Sequence, residues 1–232
     1  DSYDNGIYAD NVDSVDYQDN HDNPVSGYTA ITGITVITQI RSNHNRMEKE
    51  PMYIGFCSSK GGVGKTSISV AVASYLHYHR RLAVVVVDCD YPLRNVVRMR
   101  EREAKVLQDS RFYQQLMAKQ YTNTGQKIYP ILPSSPSEAF NDLKKYVGSG
   151  GLQPDVVSFD LPGTTNSPGV LMTISCLDSV FIPIKPEPMT MESTLLLVTL
   201  LTESIVEQEE YNLKGAHLFW TFIDGRESTL FY

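Results

Sequence analysis

The stretch Ser59-Lys-Gly-Gly-Val-Gly-Lys-Thr-Ser67 combines three things that hold a phosphate: backbone freedom, positive charge and a hydroxyl. Gly61, Gly62 and Gly64 allow the positive-φ turns and close approach that let successive N–H groups face an anion. A helix starting here would add its partial positive charge. Lys65 would then reach the outer phosphates, and the Thr66 hydroxyl would meet Mg²⁺. With residues at about 6–7% abundance each, the six fixed positions of Lys-Gly-Gly-x-Gly-Lys-Thr recur by chance about once in 10⁷ windows. The stretch departs from G-x-x-x-x-G-K-[ST] at Ser59, which replaces the first glycine. Lys60 is a further charge that nucleotide binding alone does not require.

A hydrolase built on such a loop also needs acids to hold Mg²⁺ and its waters and to place the attacking water. Two apolar runs end in acids. LAVVVVD (82–88) closes on Asp88, with Asp90 two residues later, and DVVSFD (155–160) closes on Asp160, with Gly163 after it. A lone strand-ending aspartate is as often a turn former. Beside the glycine loop, Asp88, Asp90 and Asp160 become candidates for the magnesium and water roles. A dinucleotide fold is disfavoured, because G-x-G-x-x-G is absent and Lys65 would have no role in one.

The elements that must bring these residues together follow from periodicity. MYIGFCS (52–58) is a short apolar strand entering the loop. Helical spacing of Ile68, Ala71, Val72, Tyr75 and Leu76 predicts a helix over 66–79. The continuous β-branched run at 82–88 marks a strand buried on both faces of a parallel sheet. A helical stretch near 104–119 follows, then a strand at 127–132. A helix over 135–147 opens on a capping-box pair, Ser135 and Glu138. Strands at 155–160 and 179–184 flank a short helix near 167–176, and a long helix (189–208) precedes a last strand (216–223). Alternating strands and helices predict an α/β fold, a mostly parallel central sheet flanked by helices, with ligands at the carboxyl ends of the strands.

Charge divides the chain. Residues 1–40 hold seven aspartates and no Lys, Arg or Glu; the remaining 192 residues balance at 20 basic and 20 acidic groups. Residues 1–27 are too polar to offset their ordering entropy, and predict disorder. Residues 29–40 repeat Thr-x-Ile four times, a period that fits neither strand nor helix. Residues 1–46 read as an acidic low-complexity extension and 47–232 as the globular domain. No run approaches 18 uninterrupted apolar residues, so no membrane span is expected. Cys57, Cys89 and Cys176 have no CxxC spacing and read as reduced core thiols of a cytoplasmic protein. The five histidines form no ligand set; His77 and His79 are expected on the rim of the helix after the loop.

KGGVGKTS, VVVVDCD and VVSFDLPGT, in that order, resemble the ParA/MinD family of deviant Walker A ATPases over about residues 52–226. The finer resemblance is to ParA-like proteins of conjugative transposons, the TraA type. It implies a P-loop NTPase fold, ATP and Mg²⁺ as ligands, and a homodimer closing around two ATP molecules. Lys60 resembles the signature lysine that crosses the dimer interface to the partner's phosphates. Residues 61–67, Val63 included, resemble the nucleotide cradle, with Lys65 the phosphate lysine, Thr66 the metal ligand and Ser67 an α-phosphate contact. Asp90 matches the acid that orients water, and Asp88 and Asp160 match acids around the magnesium waters. Gly62 matches a glycine whose small size lets subunits close face to face. Non-specific DNA and an activator or adaptor protein are the implied partners, in partitioning or in transfer of a mobile element.

Two features depart from the family. Tyr91-Pro92-Leu93-Arg94 stands where Pro-Gln is common, and family chains continue well beyond the last strand, which reads as C-terminal truncation here. Two other functions fit the same residues. A bacterial-type tyrosine kinase shares the fold class, and DCDYPLR resembles its acidic motif, but such kinases lack the early Lys-Gly-Gly. A nucleotide-gated DNA- or adaptor-binding module with little hydrolysis needs no further residues. The basic run 94–102 offers contacts to phosphates, though its interleaved acids read as a solvated helix.

Overall fold

The computed structural model describes residues 50–163, 167–208 and 210–223. The expectations for the acidic tail and the Thr-x-Ile repeat lie outside these residues. Six strands form one parallel sheet: β1 (Met52–Phe56), β2 (Val84–Asp88), β3 (Ile131–Pro133), β4 (Val156–Asp160), β5 (Ser179–Ile184) and β6 (Ala216–Trp220), in the order β3-β2-β4-β1-β5-β6. The expected α/β fold is the one observed.

The valine run at 84–87 is wholly buried because β2 is covered on both sides. Val84 and Val86 pack with Ile54, Phe56, Ala73 and Leu76 on one face. Val85 and Val87 pack with Phe159, Leu161 and Ile174 on the other. Each such valine contributes roughly 1.5–3 kcal/mol by leaving water. The first face is covered by α1 (Lys65–Ser74), which ends in a widened turn where Arg80 N donates to Tyr75 O, and by α2 (Asn95–Asp109). The helices α4 (Ala139–Gly148), α5 (Pro168–Ser175) and α6 (Pro188–Leu201) supply residues to the second.

Several boundaries differ from expectation. The helical stretch near 104–119 is two helices, α2 and α3 (Arg111–Thr124), broken where Ser110 turns extended and its hydroxyl accepts from Tyr113 N at 3.5 Å. The strand at 127–132 shrinks to three residues. The Ser135–Glu138 capping box does not form: Pro136–Glu138 is a 3₁₀ turn, and Ser135 Oγ pairs with Ser137 Oγ instead. His77 is buried, with Nδ1 3.0 Å from Leu82 O and Nε2 2.7 Å from Lys127 O; only His79 is on the exposed rim. Cys57 and Cys89 are buried, whereas Cys176 is partly exposed.

The segment Pro188–Val206 is 19 residues long with mean hydropathy 1.4, enough by length and composition to cross a bilayer. One face packs on the domain through Thr190, Thr194, Leu197, Val198 and Leu201, while Met189, Leu195, Leu196 and Leu200 are exposed.

Candidate nucleotide site

Register sets the site's frame. Phe56 pairs with Asp160 across β1 and β4, and Asp88 pairs with Asp160 across β2 and β4. The glycine loop and all three candidate acids therefore leave the sheet at one carboxyl edge. Gly64 begins α1 at φ 84° and Gly62 sits at φ 77°, where a side chain would be strained. Among the described residues, a Cβ on Gly61 would meet nothing within 4 Å.

The centre is a triad of charge and hydroxyl. Lys65 Nζ donates to Asp160 Oδ1 at 2.8 Å and to Thr66 Oγ1 at 3.3 Å, and Thr66 Oγ1 donates to Asp160 Oδ2 at 2.9 Å. Asp160 is fully buried and Lys65 nearly so. Burial pushes the Asp160 carboxyl above the usual carboxylate range, while Lys65 and the Thr66 hydroxyl pull it back. A phosphate arriving at the loop would offer Lys65 a second anionic partner.

Asp88 is anchored by backbone amides. Its Oδ1 accepts from Asp90 N at 3.2 Å and its Oδ2 from Val97 N at 2.9 Å. The carboxylate thus ties the first turn of α2 to the end of β2. Asp90 Oδ2 accepts from Asn95 Nδ2 at 2.9 Å, which aims the side chain from the start of the same helix. Arg94, between them, adopts φ 49° and lies over the Tyr91 ring at 5.5 Å.

Lys60 is exposed and makes no hydrogen bond or ion pair among the described residues. Of the other loop residues, Val63 is buried, Thr66 is half-buried, and Gly61, Gly62 and Ser67 face solvent.

Three contacts escaped the sequence. Ser59 Oγ donates to Ser193 Oγ at 3.2 Å and lies 3.1 Å from Thr194 Oγ1, tying the loop to α6; this gives the replacement of the first glycine a structural use. Lys185 pairs with Glu187 just before α6 and holds its carboxyl below the usual range, with Thr190 and Lys60 adding to the effect. A Cβ on Gly163 would sit 3.7 Å from Gly61 N, so the turn after β4 lies against the loop. None of these is visible as a local pattern, since each joins residues far apart in the chain or depends on a turn.

The family profile of the CobQ/CobB/MinD/ParA nucleotide binding domain matches residues 54–229. The chain belongs to this family. Solved structures of similar fold include a putative plasmid partition protein of Borrelia burgdorferi bound to AMPPNP (20% identity, TM-score 0.53, covering 77% of this chain and 79% of that one). A plasmid partition protein of Borrelia burgdorferi is similar too (19%, 0.51, 78% and 83%). The MinD cell division protein of Aquifex aeolicus is 20% identical at TM-score 0.49, covering 75% and 70%. At these identities the likeness concerns the fold. A search of curated proteins gives no match. Family membership makes the domain a nucleotide-binding one, and the Lys65–Thr66–Asp160 triad lies where its loop meets the sheet.

Proposed function

We propose that the protein is a Mg²⁺-dependent ATPase that closes as a homodimer around two ATP molecules and hydrolyses them slowly. The reading rests on one observation: two lysines of one glycine loop have opposite surroundings. Lys65 is buried on Asp160, whereas Lys60 is exposed at the loop's outer end. Lys65 serves the phosphates of its own chain, with residues 61–67 as the cradle. Lys60 serves those of the facing chain, where a positive group supplied in trans is worth roughly 10³–10⁵ in rate. Among the described residues nothing lies within 4 Å of a Cβ placed on Gly61 or Gly62, which leaves room for that approach.

The residues fit Mg²⁺. Thr66 and Asp160 are hard oxygen donors already in contact. That suits an ion bound through few protein ligands and the nucleotide's phosphates. Thr66 would hold it, with Asp160 and Asp88 around its waters; when bound it neutralises charge on the phosphates. Asp90, aimed by Asn95, positions the attacking water. We assign the protein to the cytoplasm. Its partners in this reading are non-specific DNA and an activator or adaptor protein, and its task is partitioning or transfer of a mobile element.

The test compares wild type, Lys60→Ala and Lys65→Ala for ATP affinity, dimerisation by sedimentation and phosphate release, with and without DNA. Lys65→Ala loses affinity. Lys60→Ala binds ATP but loses most hydrolysis. A Lys60→Ala protein with wild-type turnover overturns the trans-lysine assignment.

A further inference from the structure

The hairpin of α2 and α3 is not used by the nucleotide site beyond its first turn. No residue of α3 is buried, and a 14-residue helix without a packed face is marginal in water. Its Phe112, Leu116 and Tyr121 are 62%, 46% and 53% exposed. Between the hairpin and α1 lies a groove of about 1130 Å³, walled by Val70 of α1 and Tyr78 in the widened turn after it, Met99 and Leu107 of α2, and Leu116 and Tyr121 of α3. An apolar concavity of this size marks a binding surface.

Charge says what kind of partner it fits. Residues 94–127 carry eight Lys or Arg against three Asp or Glu, in a chain whose totals are 20 and 27. Arg100 is spent inside: it donates to Tyr129 O at 3.1 Å and lies over that ring at 4.7 Å. Glu103, the one acid lining the groove, is paired with Arg100 at 3.4 Å, so Arg102 and Lys127 are the charges left exposed along it.

We propose that this groove binds an amphipathic helix of a partner protein whose polar face is acidic. An apolar floor with a basic rim is the complement of such a helix, whose apolar side chains enter at i, i+3, i+4 and i+7. A second copy of the hairpin would bring like charges together. A nucleic acid would meet the rim but leave the apolar walls uncovered. Two of the three walls are rooted in the nucleotide site: α1 starts at Lys65, and α2 starts where Asp88 and Asp90 hold Val97 N and Asn95. Docking is therefore placed to respond to nucleotide; that coupling rests on the proposed function, whereas the docking itself does not.

The test uses the full chain without nucleotide and a fluorescent synthetic 18-residue helix, leucine on one face and glutamate on the other, followed by anisotropy. Controls are the same helix with lysine for glutamate, a scrambled sequence, and a 20-base-pair duplex. The glutamate helix should bind at least about tenfold tighter than the lysine and scrambled helices and weaken in 0.5 M salt. Leu116→Asp and Arg102→Glu/Lys127→Glu should each weaken it about tenfold while circular dichroism and the melting temperature stay as in wild type, because these side chains are exposed. Equal binding of the lysine or scrambled helix, or binding unchanged by either variant, overturns the proposal. So does displacement of the helix by the duplex. Self-association abolished by Leu116→Asp would assign the groove to a second copy. Tighter binding after deletion of residues 1–46 would assign it to the chain's own acidic segment. Either result also overturns the proposal.

Discussion

Replacing Lys65 with methionine tests whether the loop lysine and Asp160 form one electrostatic unit before any nucleotide arrives. The two charges are 2.8 Å apart, with side-chain exposures of 8% and 0%. At an effective dielectric of about 20 their gross attraction is about 6 kcal/mol. Methionine conserves most of the buried volume, so little cavity cost is added. What remains is a buried carboxylate without its cation, and breaking a buried pair from one side costs roughly 3–5 kcal/mol. Each kcal/mol shifts the melting temperature of a domain this size by about 2–4 °C, so Lys65→Met should melt about 6–20 °C lower at pH 8. The deficit depends on pH. Burial already lifts Asp160 above its ordinary 3.8, and losing Lys65 lifts it further. A folded-state pKa raised above the unfolded value gives stability that is present at acid pH and lost as pH rises through the raised value. The variant should therefore lie nearest wild type toward pH 4 and furthest from it at pH 8. Adding Asp160→Asn removes the stranded charge and should recover most of the loss. The assay is thermal unfolding by circular dichroism, without nucleotide, across that range. A Lys65→Met protein within about 2 °C of wild type at pH 8, or no rescue by Asp160→Asn, would refute the reasoning.

Other outcomes follow from the same geometry. Asp88→Ala leaves the buried amide of Asp90 and the half-buried amide of Val97 without acceptors, at roughly 1–3 kcal/mol for the buried group and less for the other. Urea unfolding should show the loss, and hydrogen exchange at Val97 should speed up ahead of the β2 amides. Burial pushes the Cys57 thiol up to about 12 and raises Cys89 as well. Iodoacetamide at pH 8 should therefore label Cys176 alone in the native protein and all three cysteines after denaturation, read by mass spectrometry. A Cβ at Gly55 would come 2.3 Å from Leu177 Cδ1, so Gly55→Ala should destabilise by roughly 1–3 kcal/mol, and Leu177→Ala in the same chain should relieve part of that overpacking.

Much of the fold was legible because its signals are local. The valines at 84–87 can be buried on both faces only in a covered sheet, and β2 is such a strand. Ser59 to Ser67 carries its chemistry in contiguous residues, so the loop, Lys65 and Thr66 needed no third dimension. Boundaries were less legible where a turn competes with a period. Ser110 breaks a helix that apolar spacing alone would continue. Ser135 spends its hydroxyl on Ser137, leaving the capping box unmade. His77 read as a rim residue because sequence cannot show that Leu82 O and Lys127 O close over it.

The sequence by itself determined that a phosphate-binding loop follows a strand and that acids end two further strands. These are chain-local facts: residue type, spacing and strand polarity suffice. Only the tertiary structure decided which groups each acid meets, because that depends on register and on partners far along the chain. Asp88 and Asp160 stand level at the sheet edge, yet Asp88 accepts from the amides of its own loop and helix, while Asp160 faces Lys65, 95 residues away. The same long-range packing ties Ser59 to α6 and leaves Lys60, one residue on, facing solvent.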